Sequence, residues 1–226
     1  MGEGVSIAIV DYGLGNLFSI GQACRHAGMG VEVTSDVKTL ASADAILLPG
    51  VGAFADAMQA LKDRDLVSPL KDLCDAGKPL IGVCLGLQLL MTESHEFGSH
   101  QGLDLIRGTV ERLPEGGLAP DGKRTLKVPQ VGWNRVAAPD ETDKWANSPL
   151  EDLKDGTYMY FVHSYHANPT DAGVVLSVSD FGGVRYCSSI RKGNIFACQF
   201  HPERSGDSGL KVYENIAGML KRGDFK

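Results

Sequence analysis

Val5-Ser6-Ile7-Ala8-Ile9-Val10 is a run of small and apolar residues that halts at Asp11-Tyr12-Gly13-Leu14-Gly15-Asn16, the pattern of a buried strand ending in a loop. A helix is expected next. Leu17, Ile20, Cys24 and Ala27 recur at three- and four-residue spacing, with Asn16 placed as an N-cap and Gly28 as a stop. The alternation then repeats: strand Gly30–Thr34, buried strand Ala45–Leu48, helical segments over 54–61 and 67–76, a strand over 79–83 and a helix from Leu85. Strands alternating with helices predict parallel βαβ units and an α/β sheet.

After Gly102 the texture changes. Runs at 158–162, 174–178 and 195–200 are separated by Gly, Pro and Asp turns, so strands dominate this half, and a closing helix is expected around 210–220 on the stripe Tyr213, Ile216, Ala217 and Leu220. No internal repeat or linker divides the chain, which reads as one domain over 1–226. The Gly- and Pro-rich segment 114–123 reads as a surface loop and as the stretch best suited to disorder.

The composition bounds the function. With 28 acidic against 22 basic residues the formal charge is −6, which opposes tight contact with a phosphate backbone in the absence of a basic cluster. The longest apolar stretches, 45–48 and 85–91, fall far short of the ~20 residues that span a bilayer. Met1-Gly2-Glu3-Gly4 has neither the basic flank nor the apolar core of a secretory signal, so the cytosol is the expected location. The five cysteines, at 24, 74, 84, 187 and 198, lack the paired short spacings of disulfide or zinc scaffolds and are expected to be reduced. Cys24, Cys74, Cys187 and Cys198 read as small buried apolar groups.

Cys84 stands apart. Gly82-Val83-Cys84-Leu85-Gly86 puts a cysteine between an apolar strand and a helix, with glycine two residues to either side. A tight strand-to-helix turn leaves no room for side chains at the flanks and pushes the central side chain outward, while the free N–H groups of the helix start favour thiolate over thiol. A thiol nucleophile needs a base, and His201-Pro202-Glu203 supplies one with its orienter. Pro202 cannot donate to a ladder and so ends the strand, and residues two apart project to one side, which lets Glu203 hold one ring nitrogen while the other faces the sulfur. Either motif alone is commonplace; together they point to a catalytic pair.

Two further elements complete the candidate site. Leu47-Leu48-Pro49-Gly50-Val51-Gly52 sets glycines directly after a buried strand, so the N–H groups of Gly50, Val51 and Gly52, with that of Leu85, are candidates to hold a tetrahedral oxyanion. Gln88, one helical turn past Cys84, shares its face and suits a polar substrate.

These passages, with Val10 to Leu17, Val128-Pro129-Gln130-Val131-Gly132-Trp133-Asn134, Tyr160-Phe161-Val162-His163-Ser164-Tyr165 and Gln199-Phe200-His201-Pro202-Glu203, run through nearly the whole chain. In that order they resemble the class I, triad-type glutamine amidotransferases, in particular the branch that serves histidine biosynthesis. The resemblance implies a flavodoxin-like α/β fold with a mixed central sheet flanked by helices. It also implies a Cys84–His201–Glu203 triad that hydrolyses glutamine, no cofactor, and a heterodimer with a cyclase subunit that consumes the ammonia. Gln130 departs from the family pattern, where histidine is expected.

Rival readings are a nucleotide site, a thiol peptidase and a zinc site. The first fails because Phe18 stands where a dinucleotide fingerprint needs a third glycine. His163 and His166, three apart without matching ligands, read as polar surface residues, and metal is set aside. Assaying free glutamine against peptides separates a glutaminase from a peptidase.

Overall fold

The computed structural model describes residues 4–117, 127–139 and 145–225. The first half holds β1 (Ser6–Val10), α1 (Leu17–His26), β2 (Gly30–Thr34), α2 (Val37–Ser42), β3 (Ala45–Leu48), α3 (Phe54–Asp63), α4 (Val67–Asp75), β4 (Leu80–Val83) and α5 (Leu85–Leu89). The second is rich in strands: β5 (Met91–Ser94), β6 (His100–Gln101), β7 (Ile106–Arg112), β8 (Gln130–Val136), β9 (Thr157–His163), β10 (Tyr165–Pro169), β11 (Val175–Phe181), β12 (Val184–Lys192) and β13 (Ile195–Cys198), then α6 (Gly206–Arg222).

The main sheet has seven strands in the order β11-β12-β13-β4-β3-β1-β2. From β2 to β13 neighbouring strands are parallel, and β12 and β11 extend the sheet antiparallel at the edge. Alternation along each inner strand feeds two cores. Ala8, Val10, Ile46 and Leu48 face Phe54, Met58, Leu61 and Leu70 of α3 and α4. Ile7, Ile9, Leu47 and Ile81 face Ile20 and Cys24 of α1 and Tyr213 and Ile216 of α6. Burial on both faces explains why these strands read as unbroken apolar runs, and each large side chain so buried contributes about 1.5–3 kcal/mol.

Two smaller sheets lie outside this layer: a four-stranded one in the order β10-β7-β5-β6 and the antiparallel ribbon β8-β9. A bridge between Ala137 and Val178 ties the ribbon to the main sheet's edge.

The mixed sheet flanked by helices is the one the family resemblance implies, and its parallel part is the one the alternation of strands and helices predicts. Asn16 caps α1, accepting from Ser19 N at 3.3 Å, and Gly28 follows the helix at φ +78°. The expected helix from Leu85 is cut short at Leu89, because the chain enters β5 at Met91 with every residue of 85–91 buried. α6 begins four residues earlier than the apolar stripe indicates, and the strand expected over 195–200 ends at Cys198. Of the loop expected over 114–123, residues 118–123 lie outside the described residues. Among the described residues no helix is long and apolar enough to cross a membrane.

Candidate active site

β4 delivers the chain to Cys84, whose backbone sits at φ +55°, ψ −108°, a conformation non-glycine residues seldom hold. The flanking glycines are there for space. A Cβ on Gly82 would lie 2.8 Å from Ala197 Cβ, and one on Gly86 would lie 2.0 Å from the carbonyl oxygen of Leu48. Neither fits without moving the main chain. Cys84 N donates to Cys198 O at 2.7 Å, which ties the elbow to β13.

β13 leads to His201, and Pro202 opens a short 3-10 turn over Pro202–Arg204 that brings Glu203 round to the imidazole. His201 Nδ1 and Glu203 Oε1 are 2.9 Å apart, with side chains 4% and 0% exposed. The main chain here is pinned as well: His201 N donates to Tyr160 O at 2.8 Å, and Ser205 Oγ donates to His201 O at 2.6 Å while accepting from Tyr160 N. Burial by itself would depress the histidine, but hydrogen bonding to Cys84 and Glu203 and their charge outweigh it and raise His201 to about 10. Nε2 nevertheless has no hydrogen bond of good geometry among the described residues, and Glu203 Oε2 also lacks a partner there. The sulfur donates to Val162 O at 3.9 Å. Loose alignment does not exclude the two candidate groups from acting together, since such contacts commonly tighten only when a substrate is bound.

A cavity of about 350 Å³ opens beside the sulfur. Of the residues singled out in the sequence, Cys84, Val51, Gly52, Leu85 and Gln88 line it together. Gly50 is not among its lining residues: a Cβ there would meet Tyr12 Oη at 2.5 Å and Leu85 Cβ at 2.9 Å. Tyr12 Oη donates to Pro49 O at 2.7 Å and so fixes the start of this loop, whereas Gly52, at φ +109°, has open space around it. Leu85 N–H, at the first position of α5, has no acceptor within the helix.

Gln88 is neither solvated nor wholly free for a ligand. It is buried, and both N–H groups of its amide are engaged, with Tyr165 O at 2.8 Å and Gln199 Oε1 at 3.0 Å; only Oε1 remains to face the cavity.

The sequence reading missed Glu96, which lines the cavity and accepts from Phe54 N at 2.6 Å, fixing its carboxylate at the start of α3. No local motif surrounds it. The histidines are a correction: His163 is buried rather than on the surface, with Nδ1 2.8 Å from Tyr165 O and Nε2 3.4 Å from Tyr186 Oη. Burial, above all, pulls its pKa down to about 3, so the ring is neutral and Nδ1 carries the proton donated to Tyr165. His166 is half-buried and is likewise depressed by burial. Among the described residues no group of His, Cys, Asp or Glu is placed to hold a metal ion.

A cysteine at a strained elbow, a buried His–Glu pair and a small cavity at the strand ends of a parallel sheet are the parts that a thiol-dependent enzyme on an α/β scaffold would need. A sequence profile of the family "Glutamine amidotransferase class-I" matches residues 8–217. The chain belongs to that family. It is 42% identical over 215 residues to the imidazole glycerol phosphate synthase subunit HisH of Bacillus cereus, covering 95% of each chain. It is 43% identical over 212 residues to the HisH subunit of Geobacter metallireducens, covering 94% of this chain and 97% of that one. In fold it is similar to PurLQS from Thermotoga maritima, at a TM-score of 0.71 and 18% identity over 96% of this chain and 100% of that chain.

Proposed function

We propose that this chain is the glutaminase subunit of imidazole glycerol phosphate synthase. In this reading it hydrolyses glutamine through Cys84, His201 and Glu203 and passes the ammonia to a cyclase subunit, with which it forms a heterodimer. The observation that carries the reading is the His201–Glu203 pair, buried and 2.9 Å apart, beside a cysteine held at positive φ over a cavity of amino-acid size.

Cys84 Sγ, its proton passed to His201 Nε2, attacks the carboxamide carbon of glutamine, and the oxyanion that forms takes N–H groups from Leu85 and the 50–52 loop, each worth roughly 3 kcal/mol. The C–N bond then breaks as His201 Nε2 gives its proton to the nitrogen, releasing ammonia and leaving a thioester on Cys84. Water, losing a proton to His201, cleaves the thioester to glutamate and the thiol. Glu203 holds the imidazole throughout. Glu96 is the carboxylate of the cavity and suits the α-ammonium of the substrate, with Gln88 Oε1 as a second acceptor. Every step uses side chains and water, and no cofactor is called for.

Ammonia released into water is protonated and lost, so hydrolysis is useful only beside an acceptor. The cyclase fills that role, using the nitrogen to make imidazole glycerol phosphate and aminoimidazole carboxamide ribonucleotide in histidine biosynthesis. Val131 (61% exposed) and Trp133 (57%) on β8 and Phe18 (76%) on α1 are large apolar side chains left in solvent. They suit a partner face.

Glutamine turnover measured for the chain alone, with the cyclase, and with the cyclase plus its nucleotide substrate tests the reading. Turnover should be low alone and rise in the complex, vanish in Cys84→Ala, and lose its activation in Trp133→Ala. Equal rates in every wild-type condition would refute the coupling, and full turnover in Cys84→Ala would refute the triad.

A further inference from the structure

Tyr165 O accepts two hydrogen bonds at 2.8 Å, one from His163 Nδ1 and one from Gln88 Nε2. A carbonyl can only accept, and this settles the orientation of everything downstream. The nitrogen of the Gln88 amide must face Tyr165, since its oxygen there would meet another oxygen. The second N–H of that nitrogen points to Gln199, 3.0 Å away, so the Gln199 amide presents its oxygen to Gln88. Its nitrogen is thereby turned to Cys84, and Nε2 lies 3.6 Å from Sγ. Gln199 is 0% exposed and Gln88 6% exposed, so these groups are shielded from bulk solvent.

We propose that Gln199 is a fourth side chain of the catalytic centre, donating an amide N–H to the Cys84 sulfur and holding it toward the cavity while Gln88 locks the amide. The inference rests on Cys84 being the nucleophile and adds the group that receives its charge. A thiol is a weak acceptor and a thiolate a strong one, so a buried N–H fixed on the sulfur favours the ionised form, which is the one that attacks. It also separates two tasks. His201 approaches the sulfur to move a proton, whereas Gln199 cannot exchange one and stays in place through every step of the cycle.

The test is the rate of alkylation of Cys84 by iodoacetamide as a function of pH, in the full-length wild type and in Gln199→Met, which is close in size and has no donor. Thermal unfolding of both proteins serves as the control for folding. The midpoint of the profile should move up by about one pH unit in the variant, matching a roughly tenfold loss of thiolate, and kcat/KM for glutamine should fall by a similar factor. A folded variant with an unmoved midpoint overturns the assignment. Should Gln199→Met fail to fold, the wild type decides: the side-chain amide protons of Gln199 should shift in an NMR titration as the sulfur ionises, and should not do so in Cys84→Ala, where His201 is still present. Amide protons that stay still in the wild type overturn it equally. Failure of iodoacetamide to label Cys84 in the wild type would instead sink the nucleophile itself.

Discussion

Replacing Glu203 by glutamine asks whether the carboxylate, rather than the shape of the side chain, supports His201. The two side chains are nearly isosteric, so the fully buried site stays filled and the 2.9 Å contact to Nδ1 survives as a neutral hydrogen bond. Charge assistance is what disappears. A hydrogen bond to an ionised group contributes about 1.5–3 kcal/mol against about 0.5–1.5 for a neutral one, so the variant loses about 1–2 kcal/mol of support for the imidazolium. At about 1.4 kcal/mol per factor of ten, kcat/KM should fall roughly five- to thirtyfold, less than for loss of the base. The pH dependence of stability follows from the direction of the histidine's shift. Against the pull of burial, Cys84 and Glu203 lift His201 from its ordinary 6.5 to about 10, so the folded state holds this proton more tightly than the unfolded one. That stabilisation is complete below about 6.5 and fades as pH rises through about 10. Glu203→Gln should therefore lie furthest below the wild type in urea denaturation near pH 6, and the gap should narrow as pH climbs. Wild-type kcat/KM in glutamate-release assays, or a stability gap that does not change with pH, would refute the argument.

Three other outcomes are expected. Gly86→Ala would force a Cβ to within 2.0 Å of Leu48 O, a backbone atom at the end of β3; it should cost about 3 kcal/mol or more, and a denaturation midpoint equal to wild type would show that the elbow can relax. Glu96→Gln should raise KM for glutamine about tenfold or more with a much smaller change in kcat, because it weakens binding to a group remote from the reacting bond; an unchanged KM would remove Glu96 from the substrate site. A glutamine-like electrophile should label Cys84 and leave Cys24, Cys74, Cys187 and Cys198 unmodified. Burial raises all four, Cys24 and Cys187 to about 12, and Cys84 alone among the five lines the cavity. Peptide mapping that places the label on any of those four would contradict this.

The parallel half of the sheet was legible because doubly buried strands leave a short-range mark: Ala45–Leu48 is apolar at every position and its boundaries match. The four-stranded sheet β10-β7-β5-β6 was not, since β5 and β6 are too short to show a period and β10 lies far along the chain from its partner β7. His163 was misplaced for want of a period-two reading. Along Thr157–His163 the buried residues are Met159, Phe161 and His163, so the ring follows two core side chains onto the inner face. The elbow and the His-Pro-Glu turn could be found because each is contiguous in sequence. Glu96 and Gln199 could not, because what makes them useful is a partner far along the chain: Phe54 for the one, Gln88 and Cys84 for the other.

The polar groups behind Cys84 take their orientation from a main-chain oxygen, Tyr165 O, rather than from a side chain. That choice changes what mutation can reach. A side-chain anchor is erased by a single codon change, whereas the carbonyl at 165 remains whatever residue is encoded there, provided β10 still holds the chain in register against β7. Random substitution at 165 should then be better tolerated by the nucleophile than substitution at 88 or 199. Harm to the anchor should instead come from changes that displace the β10–β7 pairing, such as a proline at Ala167, whose register partner is Val110.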